Sequence, residues 1–317
     1  MLQCQLTLFT TMKNMKQHFF NSVSSTWRVI SIFTIAVSGV ISQAQDNTNP
    51  TPEIVKVSAK GLGAFGGDVD IQTHVFKPNG AGPFPVLLFS HGRSGDQVER
   101  ANLKNPLAFG HVRFWLNKGY AVVAPVRVGY GETGGADRES ASAKYDANGT
   151  CTSRPDPANT AKYAVLSTQP VLQWVREQAW AQKDRILLEG QSVGGLTTVA
   201  LCAQNPPGVV GCINFAGGAG GSPTSKGNMC HPEILGKMMG EYGKTTKLPN
   251  IWFYAENDLY WGADSPKQWH KDFAQGGSPT QFIATTPVPN NDGHALLLRG
   301  GPLWGVPLNA WLKKNNF

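Results

Sequence analysis

The sequence predicts an α/β fold in which one mostly parallel, twisted sheet carries helices on both faces. Three observations carry that reading. From Pro83 onward, short apolar runs alternate with segments of helical spacing. The apolar runs are continuous rather than polar at every second residue, as expected of strands covered on both sides. Finally, 317 residues with 41% hydrophobic content suffice for one large core, and no shift in composition divides the chain into independent units.

Taken in order, "PEIVKVSA" and "DVDIQTHVF" alternate with a period of two and read as an antiparallel entry to the sheet. "FPVLLFS" and "AVVAPVRV" are buried strands, with the helical piece "VRFWLNKGY" between them. "TAKYAVLSTQPVLQWVREQAW" is a helix with Pro170 as a candidate kink. "DRILLEG" (strand), "GLTTVALCAQN" (helix), "GVVGCINFAGG" and "NIWFYAEND" (strands), "PKQWHKDFAQGG" (helix), "TQFIATTP" (strand) and "PLNAWLKKN" (helix) complete the pattern. "GLGAFG" at 61–66 matches a phosphate-binding spacing, but an alternating strand follows it where a helix is needed, so it reads as a hairpin turn. "GYGETG" at 129–134 reads as a flexible loop at the C-terminal edge of the sheet. The polar, glycine-rich segment 129–160 has the length and composition of a functional loop or lid.

Residues 1–44 have the make-up of a secretory signal peptide. Lys13, Lys16 and Arg28 are their only charges, an apolar run occupies 29–41, and Ser42 and Ala44 supply small-x-small spacing ahead of polar sequence. The run is too short and too rich in Ser and Thr for a membrane anchor. Cleavage near Ala44 and a periplasmic or secreted location are expected, leaving 45–317 as a single catalytic domain; Met12 and Met15 are alternative start sites. Cleavage would remove three basic residues and no acidic ones, lowering the formal charge from +7 to +4. No basic block remains, which argues against nucleic acid as a partner. Four cysteines follow the leader, and in an exported chain they suggest two disulfides. Cys202, near a helix end, and Cys212, early in the next strand, would lie side by side, leaving Cys151 with Cys230. No CxxC pair or clustered histidines suggest a metal. Oligomeric state is not legible.

The chemistry centres on "GQSVG" at 190–194, with a strand before it and a helix after it. Such a turn lifts the Ser192 hydroxyl clear of the sheet, and glycine on either side lets strand and helix approach closely. A serine hydroxyl needs a base and an orienting acid, expected in the order acid, then histidine, on loops after later strands. Asp258 in "AENDLYW" is the candidate acid, with Glu256 the alternative, and His294 in "DGHALL" is the candidate base. An oxyanion requires two preorganised N–H donors. These are assigned to the amide of Val193 and the amide of Arg93 in "SHGRSG", with Gly92 the alternative. Tyr130, Tyr260 and Trp261 are candidate walls of the acyl pocket, Trp261 being equally readable as core.

"SHGRSG", "GQSVGG", "YAENDLYW" and "DGHALL", in that order, resemble the α/β-hydrolase superfamily, and more closely its dienelactone-hydrolase-like secreted serine hydrolases. The resemblance spans Pro83 to the C-terminus. It implies a carboxylesterase, or else an amidase or peptidase, acting on a small-molecule ester or amide without a cofactor. A noncatalytic binding module on the same scaffold is the reading from another class; such a module would have no need of all three groups.

Overall fold

A computed structural model describes residues 49–225 and 229–317. The leader reading and its cleavage point lie outside the described residues. Eight strands form one sheet: β1 (Glu53–Ala59), β2 (Val69–Phe76), β3 (Phe84–Ser90), β4 (Ala121–Pro125), β5 (Ala181–Gln191), β6 (Val209–Phe215), β7 (Asn250–Ala255) and β8 (Thr280–Thr285). Their spatial order is β1-β2-β4-β3-β5-β6-β7-β8. β1 and β2 form the expected antiparallel entry, β2 runs antiparallel to β4, and every later pairing is parallel. This is the α/β-hydrolase architecture expected from the sequence.

The interior strands explain the continuous apolar runs. All residues of β4 and β7 are buried, and neighbouring residues serve opposite faces, because successive side chains of a strand point to opposite sides. Val86, Leu88, Ile186 and Leu188 join one cluster with residues of α3 (Pro157–Arg176), α4 (Val193–Cys202), α5 (Pro232–Thr245) and α6 (Ser265–Gln275). Leu87, Phe89, Leu187 and Phe253 join the other. That second face also holds Val112 and Trp115 of α2 (Phe109–Leu116), and Leu308 and Trp311 of α8 (Gly301–Lys314). The short helices α1 (Gln97–Ala101) and α7 (Leu296–Arg299) flank the site.

α3 continues through Pro170, the candidate kink. Other elements differ from the sequence reading. α5 and α1 were not anticipated, and in α5 the glycines obscure a helical spacing of Leu235 and Met239, both buried. Gly243 is obligatory, since a Cβ there would lie 1.9 Å from the Phe273 carbonyl oxygen of α6. "GYGETG" is anchored rather than flexible. It forms a single 3-10 turn over Gly131–Thr133, and the buried Thr133 hydroxyl donates to the Val126 carbonyl (2.6 Å) and accepts from the Gln72 N–H (2.9 Å). The two disulfides join Cys202 to Cys212 and Cys151 to Cys230, the pairing expected from the sequence.

Candidate active site

Ser192 occupies the corner between β5 and α4 with φ 56° and ψ −123°, in the left-handed region that costs a residue with a side chain. The flanking glycines make the corner possible. A Cβ on Gly194 would lie 1.9 Å from the Ser90 carbonyl oxygen, and one on Gly190 would lie 2.1 Å from that of Gly194. The serine therefore stands at the N-terminus of a ten-residue helix, where unpaired N–H groups favour developing negative charge. Among the described residues, no protein acceptor takes the N–H of Val193 or of Arg93.

Asp258 and His294 come from the ends of β7 and β8. Asp258 is buried; its Oδ1 accepts from the N–H groups of Tyr260 (2.8 Å) and Trp261 (3.1 Å), and its Oδ2 lies 3.1 Å from His294 Nδ1. Glu256, the alternative acid, is exposed and does not reach the imidazole. The two loops are sewn together by side chains accepting from backbone. Asp292 Oδ1 takes the N–H groups of His294 and Leu259, each at 2.9 Å, and Asn257 Oδ1 takes that of Val288 at 3.0 Å. Gln191, beside the serine, donates its side-chain amide to the His294 carbonyl at 2.9 Å, tying the imidazole's loop to the elbow. The Tyr260 ring stacks on the imidazole at 4.1 Å, and Trp261 meets its edge at 5.5 Å.

Ser192, His294, Tyr260, Tyr130 and the 91–94 loop line one cleft of about 290 Å³. Tyr130 is nonetheless buried, with its hydroxyl given to Glu139 at 3.2 Å and its acidity suppressed by burial. Trp261 is also buried, donating Nε1–H to the Ala216 carbonyl at 2.7 Å, and it lines the adjoining cavity. Of the three aromatic candidates, Tyr260 is the least enclosed. The Arg93 guanidinium is paired with Asp137 rather than solvated. Two larger spaces adjoin. One, of about 420 Å³, is shared with Ser192 and Val193 and is walled by small and polar residues of segments 139–145 and 218–223. The other, also about 420 Å³, lies beyond Gln191 and is walled by Phe89, Leu107, Phe109, Leu297 and Leu298.

Three other histidines among the described residues are placed elsewhere or occupied. His111 lies under the sheet, paired with the buried Glu189. His270 contacts the Thr280 hydroxyl at 2.9 Å, and burial lowers its pKa to about 4. His91 reaches the cleft with both ring nitrogens engaged. Its Nδ1–H donates to the Gly92 carbonyl (2.7 Å), and its Nε2 accepts the Arg127 N–H (3.1 Å). Burial and then the Arg127 charge hold its pKa well below the ordinary 6.5, keeping it neutral.

Sequence reasoning missed Arg127 and Glu139. Arg127 is fully buried just past β4, its Nε and Nη2 donating to Glu139 Oε1 (2.7 Å) and Oε2 (2.9 Å). Burial opposes its charge, but the Glu139 carboxylate more than restores it. The available signal was the cation itself, an arginine inside the otherwise apolar "AVVAPVRV".

No curated protein sequence matches the chain. Solved structures similar to it include an esterase from Pyrococcus furiosus (12% identity over 84% of this chain and 93% of the other, TM-score 0.55). Another is an acylaminoacyl peptidase from Pyrococcus horikoshii (12% identity, 81% of this chain and 39% of that one, TM-score 0.51). A third is a puromycin-hydrolyzing peptidase from Mycobacterium tuberculosis (14% identity, 78% and 37%, TM-score 0.49). The chain thus spans nearly all of the esterase but less than two fifths of either peptidase. The likenesses to the esterase and to the acylaminoacyl peptidase establish the fold. The sequence model of the X-Pro dipeptidyl-peptidase (S15) family matches residues 66–251, more than half of the 317, and the chain therefore belongs to that family of hydrolases within the α/β-hydrolase superfamily.

Proposed function

We propose that this protein is a serine hydrolase that cleaves carboxylic esters through an acyl-enzyme on Ser192. The observation that carries the reading is convergence: a serine on a left-handed corner shares one cleft with an imidazole whose Nδ1 faces a buried carboxylate. With Nδ1 engaged by Asp258, Nε2 is the nitrogen left to take the Ser192 proton and return it to the leaving alcohol. Asp258 holds the tautomer and stabilises the imidazolium as it forms. The N–H groups of Val193 and Arg93 receive the oxyanion. Water then attacks the ester of Ser192, with His294 again acting as base. No cofactor enters these steps.

The leaving group must depart beside His294. The apolar space next to Leu297 and Leu298, which follow that histidine, suits the alcohol part, and the small-walled space beside Ser192 and Val193 suits a compact acyl part. Membership of the S15 family favours a second reading, amide or peptide hydrolysis by the same groups. The two disulfides support an oxidising compartment, consistent with an exported protein whose leader ends near Ala44.

Fluorophosphonate labelling of the purified protein, followed by p-nitrophenyl esters and p-nitroanilides tested on wild type and Ser192→Ala, decides between them. Labelling and ester turnover that vanish in the alanine variant are expected, with residual catalysis only about 10³–10⁴ over water. Turnover of anilides alone would transfer the assignment to peptidase. Turnover that survives in Ser192→Ala would overturn both readings.

A further inference from the structure

The loop facing Ser192 is held by one buried cation. Arg127 Nη1–H donates to the His91 carbonyl at 2.6 Å and Nη2–H to the Gly92 carbonyl at 3.3 Å, while the same guanidinium is clamped by Glu139. The Gly92 carbonyl also accepts from His91 Nδ1–H at 2.7 Å. Two consecutive carbonyls are therefore drawn toward the protein interior. The Gly92–Arg93 peptide is trans, so its N–H points opposite to the carbonyl that Arg127 and His91 capture. Gly92 itself lies against the serine, since a Cβ on it would sit 3.5 Å from Ser192 Cβ, and Gly92, Arg93 and Ser192 line the same cleft.

We infer that Arg127, backed by Glu139 and His91, is a positioning unit that presets the Gly92–Arg93 peptide as an oxyanion donor, an inference that rests on the serine-hydrolase reading above. The unit touches no reacting atom. Its effect is exerted through the orientation of one peptide plane, fixed before substrate arrives, which is the condition under which such donors contribute most. Glu139 is in turn held by Thr160, whose hydroxyl donates to the Glu139 carbonyl at 2.8 Å, so the clamp is anchored to α3.

The test compares a p-nitrophenyl ester with its thiono analogue, in which sulfur replaces the carbonyl oxygen and fits an oxyanion site poorly. Arg127→Lys retains the charge but loses the fork, and Glu139→Gln retains the shape but loosens the guanidinium. Arg127→Lys is expected to lower kcat for the oxygen ester by about 10²-fold with little change in KM, and to shrink the oxygen-to-sulfur rate ratio by about tenfold. Glu139→Gln should move both in the same direction by about a third as much on a logarithmic scale. Folding is followed by near-ultraviolet circular dichroism; should Arg127→Lys fail to fold, the ratio in Glu139→Gln decides. A folded variant with slowed turnover of both substrates and an unchanged ratio would overturn the positioning role, because general loosening does not discriminate oxygen from sulfur. A wild-type protein inert to both substrates and to fluorophosphonate would remove the reading beneath it as well.

Discussion

The two halves of the cleft are held rigid by different physics. On one side, the 91–93 loop hangs from a buried ion pair, Arg127 with Glu139, that takes two backbone carbonyls. On the other, the Asp258 and His294 loops are joined by short polar side chains that accept backbone N–H groups, chiefly Asp292 and Asn257, and by the rings of Tyr260 and Trp261. A buried charge grips several groups at once but is costly to leave without its partner. Local acceptors grip one or two N–H groups each, and their loss is mild. The first arrangement is thus cooperative and brittle, the second distributed and tolerant.

Substitutions can break this contrast, beginning with the largest effect. Asp258→Asn should lower kcat by about 10⁴-fold by favouring the wrong imidazole tautomer while leaving thermal stability nearly unchanged. A variant within tenfold of wild type in steady-state assay would show that His294 is oriented by something else. Next, Arg127→Met strands the Glu139 carboxylate and should destabilise by about 3–5 kcal/mol in urea melts, with much of the loss recovered in Arg127→Met/Glu139→Leu. If the single and double variants prove equally stable, the brittle half of the contrast fails. Asp292→Ala should cost only about 1–2 kcal/mol, since it removes an acceptor shared by two N–H groups, together with a modest fall in kcat.

The smallest effect concerns pH. Burial lowers His270 to about 4 and holds His91 well below 6.5, so both stay neutral in the native state where the unfolded chain would take up protons. Because the unfolded state binds the extra protons, this stability is complete above about 6.5 and declines as pH falls through the window from about 6.5 to 4. Calorimetric Tm between pH 7.5 and 4.5 should therefore drop toward acid, with a shallower slope in His270→Gln. Parallel slopes would remove His270 from the account.

The same contrast explains what could be read from the sequence. The elbow, the antiparallel entry and the alternation of strand and helix are local patterns, and the His294 and Asp258 loops follow from chain order. The Arg127–Glu139 clamp spans a loop of irregular structure, and neither residue's spacing points to the other. Only the presence of an arginine in the otherwise apolar run "AVVAPVRV" hinted that something had to neutralise it. For α5, Gly236, Gly240 and Gly243 reduce the helical signal, and at Gly243 the reason is the close approach of the α6 backbone. The "GYGETG" loop looked free because its anchors, Gln72 and Val126, are contributed by backbone, which carries no side-chain signature.

The bridge between Cys151 and Cys230 closes a ring across 79 positions that includes Ser192, while Asp258 and His294 stand outside it. Such a ring restricts the unfolded chain by about 4–5 kcal/mol in the chain-entropy account. The proposed nucleophile therefore lies inside the ring and its proposed base and acid outside it, so a fragment ending short of residue 294 could be cross-linked and carry the elbow yet would lack the imidazole proposed to take its proton.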